Sequence, residues 1–472
     1  MSTCSVVNCK EAMRRSIQDR DSEGSQDRAD RMPYVRDTWQ TARTASETTA
    51  LRIGFVALAL AVGFVIGFAV FAVMNISIWL TSLIWDGLGG SVNAVWFPLV
   101  TCTLGGLVIG LWTYFSGNRI NGLEEVMREF KQTGTYNLHG PLKTVVSFLL
   151  PLVFGGSVGF EAGLTGIITA GCCWIRDKLK IAGLRIGAIA DVTIAATLSA
   201  IFGAPLAGIV AGAESTPSDD ALTPPEPDET RALRPNTYDM RRSVKIVLYM
   251  AAAIGAFGGI ALFSALFETE SGLPRFEAIQ ATGADFLWVL PCLIAAYALT
   301  LVYHASDHGF ARFAERLGTS PYAALVAPVI AGIVLGALAM AFPYVLFPGE
   351  TQSHELMGAW QTWTVIALVG TGLLKAVATP MCIRMGWMGG SFFPSIFAGV
   401  ACGYGIAALT GADPMLMVTV VTSAYLAGVT RKPLLSVAIL ALCFPLTGIL
   451  WSGLAAVIGG ALPVPRTWLL TE

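Results

Sequence analysis

Apolar runs dominate the chain from about Leu51 onward, and their lengths define its elements. The first continues to Trp85. Others cover roughly 91–115, 144–175, 186–213, 244–267, 285–303, 322–347, 360–383, 389–429 and 433–462. A helix needs about 20 apolar residues to cross a bilayer. Several runs are longer and carry internal Gly or Pro, as at Gly155-Gly156, Gly203-Ala204-Pro205, Gly389-Gly390 and Pro433. These are expected to hold two segments each, some of them short or broken. Two polar breaks interrupt the pattern. Residues 215–240 are rich in Pro and acid and read as a surface loop; 304–320 read as a polar, partly helical connection. Residues 1–50 carry eight basic and eight acidic side chains with no apolar run behind a basic start. That pattern predicts an aqueous tail with a short helix near Ala12–Arg20, not a cleaved signal peptide. A second short tail, 463–472, follows the last run.

Composition sharpens this picture. Hydrophobic residues make up 54% of the 472 and charged residues 13%, half the charge of a soluble domain, which is about 25%. The 50 glycines suit close packing of membrane helices. A soluble enzyme, a disordered chain and a nucleic-acid binder are excluded, the last also by a net charge of −2. The expected product is an all-α polytopic protein of the cell (inner) membrane. The nine cysteines are odd in number and scattered, mostly within apolar runs, so they predict no disulfide framework. His304 and His308 have helical spacing but no acidic or Cys partner, and read as part of a solvated helix rather than a metal site. No cofactor is expected. The loops mix Lys, Arg, Asp and Glu too evenly to fix an orientation.

An internal echo carries the most information. Gly155-Gly156-Ser157-Val158 recurs as Gly389-Gly390-Ser391-Phe392, each before an apolar run rich in small residues. Pro205, in GAPLAGIVA, follows the first copy, and Pro433, in RKPLLSVAI, follows the second. Paired Gly- and Pro-interrupted segments in corresponding halves predict an inverted-repeat transporter with broken helices and a site at the midplane. The halves are about 51–267 and 285–462.

Within 144–175 the one acid or base, cysteines aside, is Glu161, in GGSVGFEAG. A charge at that depth costs at least about 2.5–3.5 kcal/mol, so such a residue is expected to face a cavity or pathway. In the second copy, GGSFFPSIF, Pro394 suits the first residue of a helix and Ser391 its cap. Two helix starts inside the membrane make a positive pocket without a buried cation, which binds anions. A carboxylate beside that pocket competes with the anion when charged and withdraws when protonated, which makes a gate. Upstream, SGNRINGLEEVMREF (Ser116–Phe130) offers a tight turn at Gly117 and Asn118; taken alone it reads as an amphipathic loop helix.

Together these segments resemble the CLC family of chloride channels and proton-coupled anion exchangers. That family carries GSGIP, G(K/R)EGP and GxFxP in this order. The third is met in full by Gly390-Ser391-Phe392-Phe393-Pro394. The second is met in part by Gly159-Phe160-Glu161-Ala162-Gly163, which lacks the basic residue and the Pro, and the first weakly by Gly117-Asn118-Arg119-Ile120-Asn121. Lys143 lies upstream of Glu161, where family members often carry a lysine, and GAPLAGIVAGAE (203–214) is similar to the stretch after the second motif.

The resemblance implies a homodimer in the lipid bilayer with one pore per subunit, carrying an inorganic anion, chloride or fluoride, with or without protons. It implies Glu161 as gate, Asn118 at the anion-coordinating serine position, and amides around Phe160, Glu161, Phe392 and Phe393 at the central anion site. Asn118 in place of serine opens fluoride or nitrate beside chloride. The inner proton glutamate of exchangers aligns with Ser215, with Glu214 one residue before it, so channel and exchanger stay open. The family's pore tyrosine has no match, Tyr425 being the last tyrosine, and cytosolic CBS domains are not expected.

Two rivals stand beside the anion reading. A cation-coupled carrier would gather several carboxylates at the midplane, where one stands out here. An intramembrane enzyme would need HExxH, which His354-Glu355 does not complete, or a histidine in the runs of Ser157 or Ser391, which hold none.

Overall fold

The computed structural model describes residues 53–89, 94–116, 141–164, 166, 196, 242–267, 274–318, 321–441 and 443–468. The chain divides into Met1–Leu58, described only from 53, and Ala59–Glu472, which holds everything below except the first residues of α1.

Among the described residues, the elements are helices joined by short turns. In chain order they are α1 (Ile53–Leu88), α2 (Phe97–Ser116), α3 (Pro141–Val153), α4 (Arg242–Phe267), α5 (Val289–Leu317), α6 (Pro321–Ala341), α7 (Glu350–Ala359), α8 (Val365–Arg384), α9 (Phe392–Thr410), α10 (Pro414–Thr430), α11 (Pro433–Leu440) and α12 (Leu446–Ala461). Seven, namely α1, α2, α4, α5 with its leading 3-10 turn, α6, α8 and α9, are long and apolar enough to cross a membrane. Leu104, Leu107 and Leu111 of α2 and Leu290 and Ile294 of α5 are exposed. Acyl chains, not water, suit such surfaces. The protein is a multi-pass integral membrane protein.

The long apolar runs break where Gly and Pro fall. The 389–429 run splits into α9 and α10 at Gly411 (φ 72°), after which Asp413 caps α10 by accepting from Leu416 N–H at 2.7 Å. The 433–462 run splits into α11 and α12. The polar break expected over 304–320 is instead the second half of α5, which continues without interruption to Leu317. Its polar residues mislead because two of them, Asp307 and His304, are taken up by neighbouring helices. Asp307 makes a two-pronged pair with Arg384 of α8, 2.7 Å at each contact. His304 is buried, its Nε2 3.1 Å from the Gly428 carbonyl of α10. It is therefore a core residue, not part of a solvated helix. The 215–240 loop and the 1–50 tail lie outside the described residues.

Small residues set the helix contacts. Gly106 and Gly110 of α2 lie against the backbone of Pro328 and Leu325 on α6, and Gly332 and Gly336 of α6 lie against Cys102 and Leu99 on α2. Gly399 and Gly403 of α9 meet Thr422 and Val418 of α10, and Gly63 and Gly67 of α1 meet Ala252 and Ala256 of α4. Each pair is spaced by four, so both glycines fall on one helix face and the backbones approach where any side chain would hold them apart. Helix α9, buried along most of its length, stands among α8, α10 and α7. Its first residue is where the site forms.

Candidate anion site

The two echoed loops meet. Helix α3 ends as Gly155 turns into the left-handed region (φ 86°), and Gly156 N–H closes the end on the Pro151 carbonyl at 2.7 Å. The chain then runs through Ser157 and Val158 to Gly159, which pairs with Gly390 of the second copy. Gly159 N–H donates to the Gly390 carbonyl at 2.7 Å, and Gly390 N–H returns to the Gly159 carbonyl at 3.0 Å. This two-residue antiparallel bridge joins segments more than 200 positions apart in sequence. A Cβ on either partner would overlap the carboxylate of Glu161 where it now lies and would have to displace it.

Glu161 opens a helical turn at 161–164 and is fully buried. Its Oε1 accepts from the Phe392 N–H at 2.6 Å, the first amide of α9, and its own N–H also reaches the carboxylate. Oε2 is buried with no partner. The aligned peptides of a 19-residue helix leave partial positive charge at this end, so the carboxylate sits where α9 attracts an anion. Phe160 and Phe393 close the flanks edge to face, centroids 6.1 Å apart, both buried. Phe148 packs on Phe160 and leaves no room for a side chain at Gly163.

The expected cap is corrected. Ser391 occupies the N-cap position of α9 but makes no cap bond; its side chain faces the Tyr303 hydroxyl of α5. Pro394 is the third residue of α9, not the first. It still removes an N–H that no carbonyl of its own helix could meet. Of the sequence-predicted site, Phe160, Glu161, Phe392 and Phe393 come together. Asn118 and Glu214 lie outside the described residues, as does the rest of GAPLAGIVAGAE (203–214). Tyr425, fully buried in α10, faces Ser395 one turn into α9. Two residues near the site escaped the sequence reading: Tyr303, and Lys375 of α8, fully buried among four backbone carbonyls. Among the described residues no cluster of His, Cys, Asp and Glu is fit to hold a metal.

A multi-pass helical protein with two glycine-rich loops meeting at a buried carboxylate is the class these observations define. The family described as voltage gated chloride channel matches residues 105–463, and the chain belongs to that CLC family. Transmembrane anion transport of the CLC type is its function. Three solved structures share its fold. A CLC-type fluoride/proton antiporter is 16% identical with a TM-score of 0.65, covering 86% of this chain and 94% of that one. A slow cyanobacterial Cl-/H+ antiporter is 16% identical with a TM-score of 0.63, covering 89% and 96%. A eukaryotic CLC transporter is 17% identical with a TM-score of 0.62, covering 87% and 72%. No curated protein sequence matches the chain.

Proposed function

We propose that Glu161 is the gate of a chloride pathway, and that its carboxylate now occupies the site the anion takes. The observation that carries this is the 2.6 Å bond from Phe392 N–H to Oε1 in a fully buried place with Oε2 unpartnered. Two unit charges about 4 Å apart repel by roughly 4 kcal/mol at an effective dielectric of about 20. An ionised Glu161 and a chloride therefore exclude one another, and protonation releases the amides to the anion. Flux should rise as pH falls. On this reading the anion site comprises Asn118 and amides around Phe160, Glu161, Phe392 and Phe393, and Glu214 is the inner proton relay. The transport domain is 51–462 in its two halves, between aqueous tails 1–50 and 463–472, and the working unit is a homodimer. Asn118 in place of the family's serine supports fluoride as a second reading.

Reconstituted liposomes under a valinomycin-clamped potassium gradient test the gate. Glu161→Gln should change the chloride rate about tenfold or more and flatten its pH dependence, because one titrating charge at a pathway is worth more than about 1.4 kcal/mol. Unchanged flux and pH profile would falsify the assignment. Fluoride flux exceeding chloride flux in the same vesicles selects the second reading. External pH recorded alongside, with Glu214→Ala as comparison, separates exchanger from channel.

A further inference from the structure

We propose that Lys375 is a positioning residue, a tethered cation that fixes the loop carrying Glu161; this rests on Glu161 being the gate. Lys375 is fully buried in the middle of α8. Its Nζ meets the carbonyls of Phe347 at 2.7 Å, Leu346 at 2.8 Å, Tyr344 at 3.1 Å and Val345 at 3.4 Å, and lies 4.9 Å from the centroid of the Phe397 ring of α9. All four groups that Nζ bonds are acceptors. A three-donor ammonium matches that set, and a neutral amine would aim its lone pair at an oxygen.

The cage is built at a conformational cost. Phe347 holds φ at 62°, a region that side-chain-bearing residues seldom enter. That twist lets its carbonyl reach Lys375 while its N–H donates to the Gly155 carbonyl at 3.1 Å. Gly155 is the first residue of the echoed loop. Trp85 locks the same corner, with its ring edge-on to Phe347 at 5.1 Å and its Nε1 donating to the Val153 carbonyl at 3.0 Å. A second link leaves from Lys375 itself. Its backbone carbonyl accepts from Thr379 Oγ1 at 2.9 Å, and that hydroxyl lies 3.1 Å from Ser157 Oγ. The Lys375 side chain thus holds the loop at Gly155 through the caged turn, and the backbone of the same turn of α8 holds it at Ser157 through Thr379, four and two residues before the Gly159 bridge. An ammonium does here what a bound monovalent cation does elsewhere: it draws several carbonyls to one point.

The test uses full-length protein in liposomes and detergent. Lys375→Met keeps the stem and deletes the charge; Thr379→Val cuts only the second link. Amide exchange of 154–160 should quicken about tenfold in Lys375→Met, and less in Thr379→Val, while exchange in α2 and α12 stays as in the parent. The pH midpoint of flux should move in both variants, and that movement should vanish when each is combined with Glu161→Gln. Unchanged exchange at 154–160, or equal quickening throughout the protein, overturns the proposal. Should Lys375→Met fail to fold, Lys375→Gln, which keeps donors but not the charge, decides by the same readings. If Glu161→Gln alone leaves flux untouched while the loop still loosens, the gate assignment falls and the anchoring of the loop stands.

Discussion

Ser391 shows how one side chain can hold the position of a cap without its role. Its hydroxyl faces Tyr303, and the first amide of α9 goes to Glu161 instead. Ser391→Ala should therefore not behave as cap removal. Each of Ser391→Ala and Tyr303→Phe should cost about 1 kcal/mol, the worth of one neutral hydrogen bond. The double variant should cost less than the sum, because the two changes delete the same contact. Thermal unfolding in detergent reads this, and strict additivity would show that the hydroxyls act separately. Glu161 was legible because it is the one acid or base in a long apolar run, cysteines aside. Lys375 sends the same signal, standing alone between Val365 and Ile383. Its partners could not be read, since they are backbone carbonyls about 30 residues upstream, and a carbonyl has no letter. Tyr303 gave no signal at all: an aromatic residue in an apolar helix reads as core until its hydroxyl is seen to have a partner.

At the scale of helices, run length and Gly or Pro breaks predicted most of the segments, and a charged stretch that continues as helix defeated one of them. The second half of α5 looks aqueous in sequence because it carries Asp307, Arg312, Glu315 and Arg316. Pairing of Asp307 with Arg384 lets that stretch run on as helix. The pair is partly exposed, so Asp307→Asn should cost no more than about 1 kcal/mol. The glycine spacings carry more weight. Gly106 of α2 sits on the Pro328 carbonyl of α6, and Gly332 returns the contact on the Cys102 carbonyl. Gly106→Leu must push the helices apart or bend one of them, at about 1–3 kcal/mol for overpacking. The expected outcome is a lower unfolding temperature in detergent. The same substitution at Gly258, whose Cβ would meet nothing, should leave stability near the parent value. Equal losses at both positions would mean that helix propensity, not the crossing, decides.

At the scale of the molecule, the Gly159–Gly390 bridge joins the two halves beside Glu161, the proposed gate. Every described residue that closes the site, namely Gly159, Phe160, Glu161, Tyr303, Gly390, Ser391, Phe392 and Phe393, belongs to one chain. On the proposed homodimer reading, each protomer is expected to carry its own pathway, because the described groups that hold Glu161 come from one chain. This has a measurable consequence. At alkaline pH the parent protein should be largely shut by ionised Glu161, and Glu161→Gln should conduct. Proteins co-expressed with two different tags, purified for both and reconstituted, form dimers with one parent and one variant subunit. Their alkaline flux should be half that of the pure variant, because each pathway answers only to its own carboxylate. Flux equal to the parent would mean that one charged glutamate shuts both pathways, so that the gate is shared across the interface. A single-chain mass in detergent would remove the dimer itself and leave the gate within one chain intact.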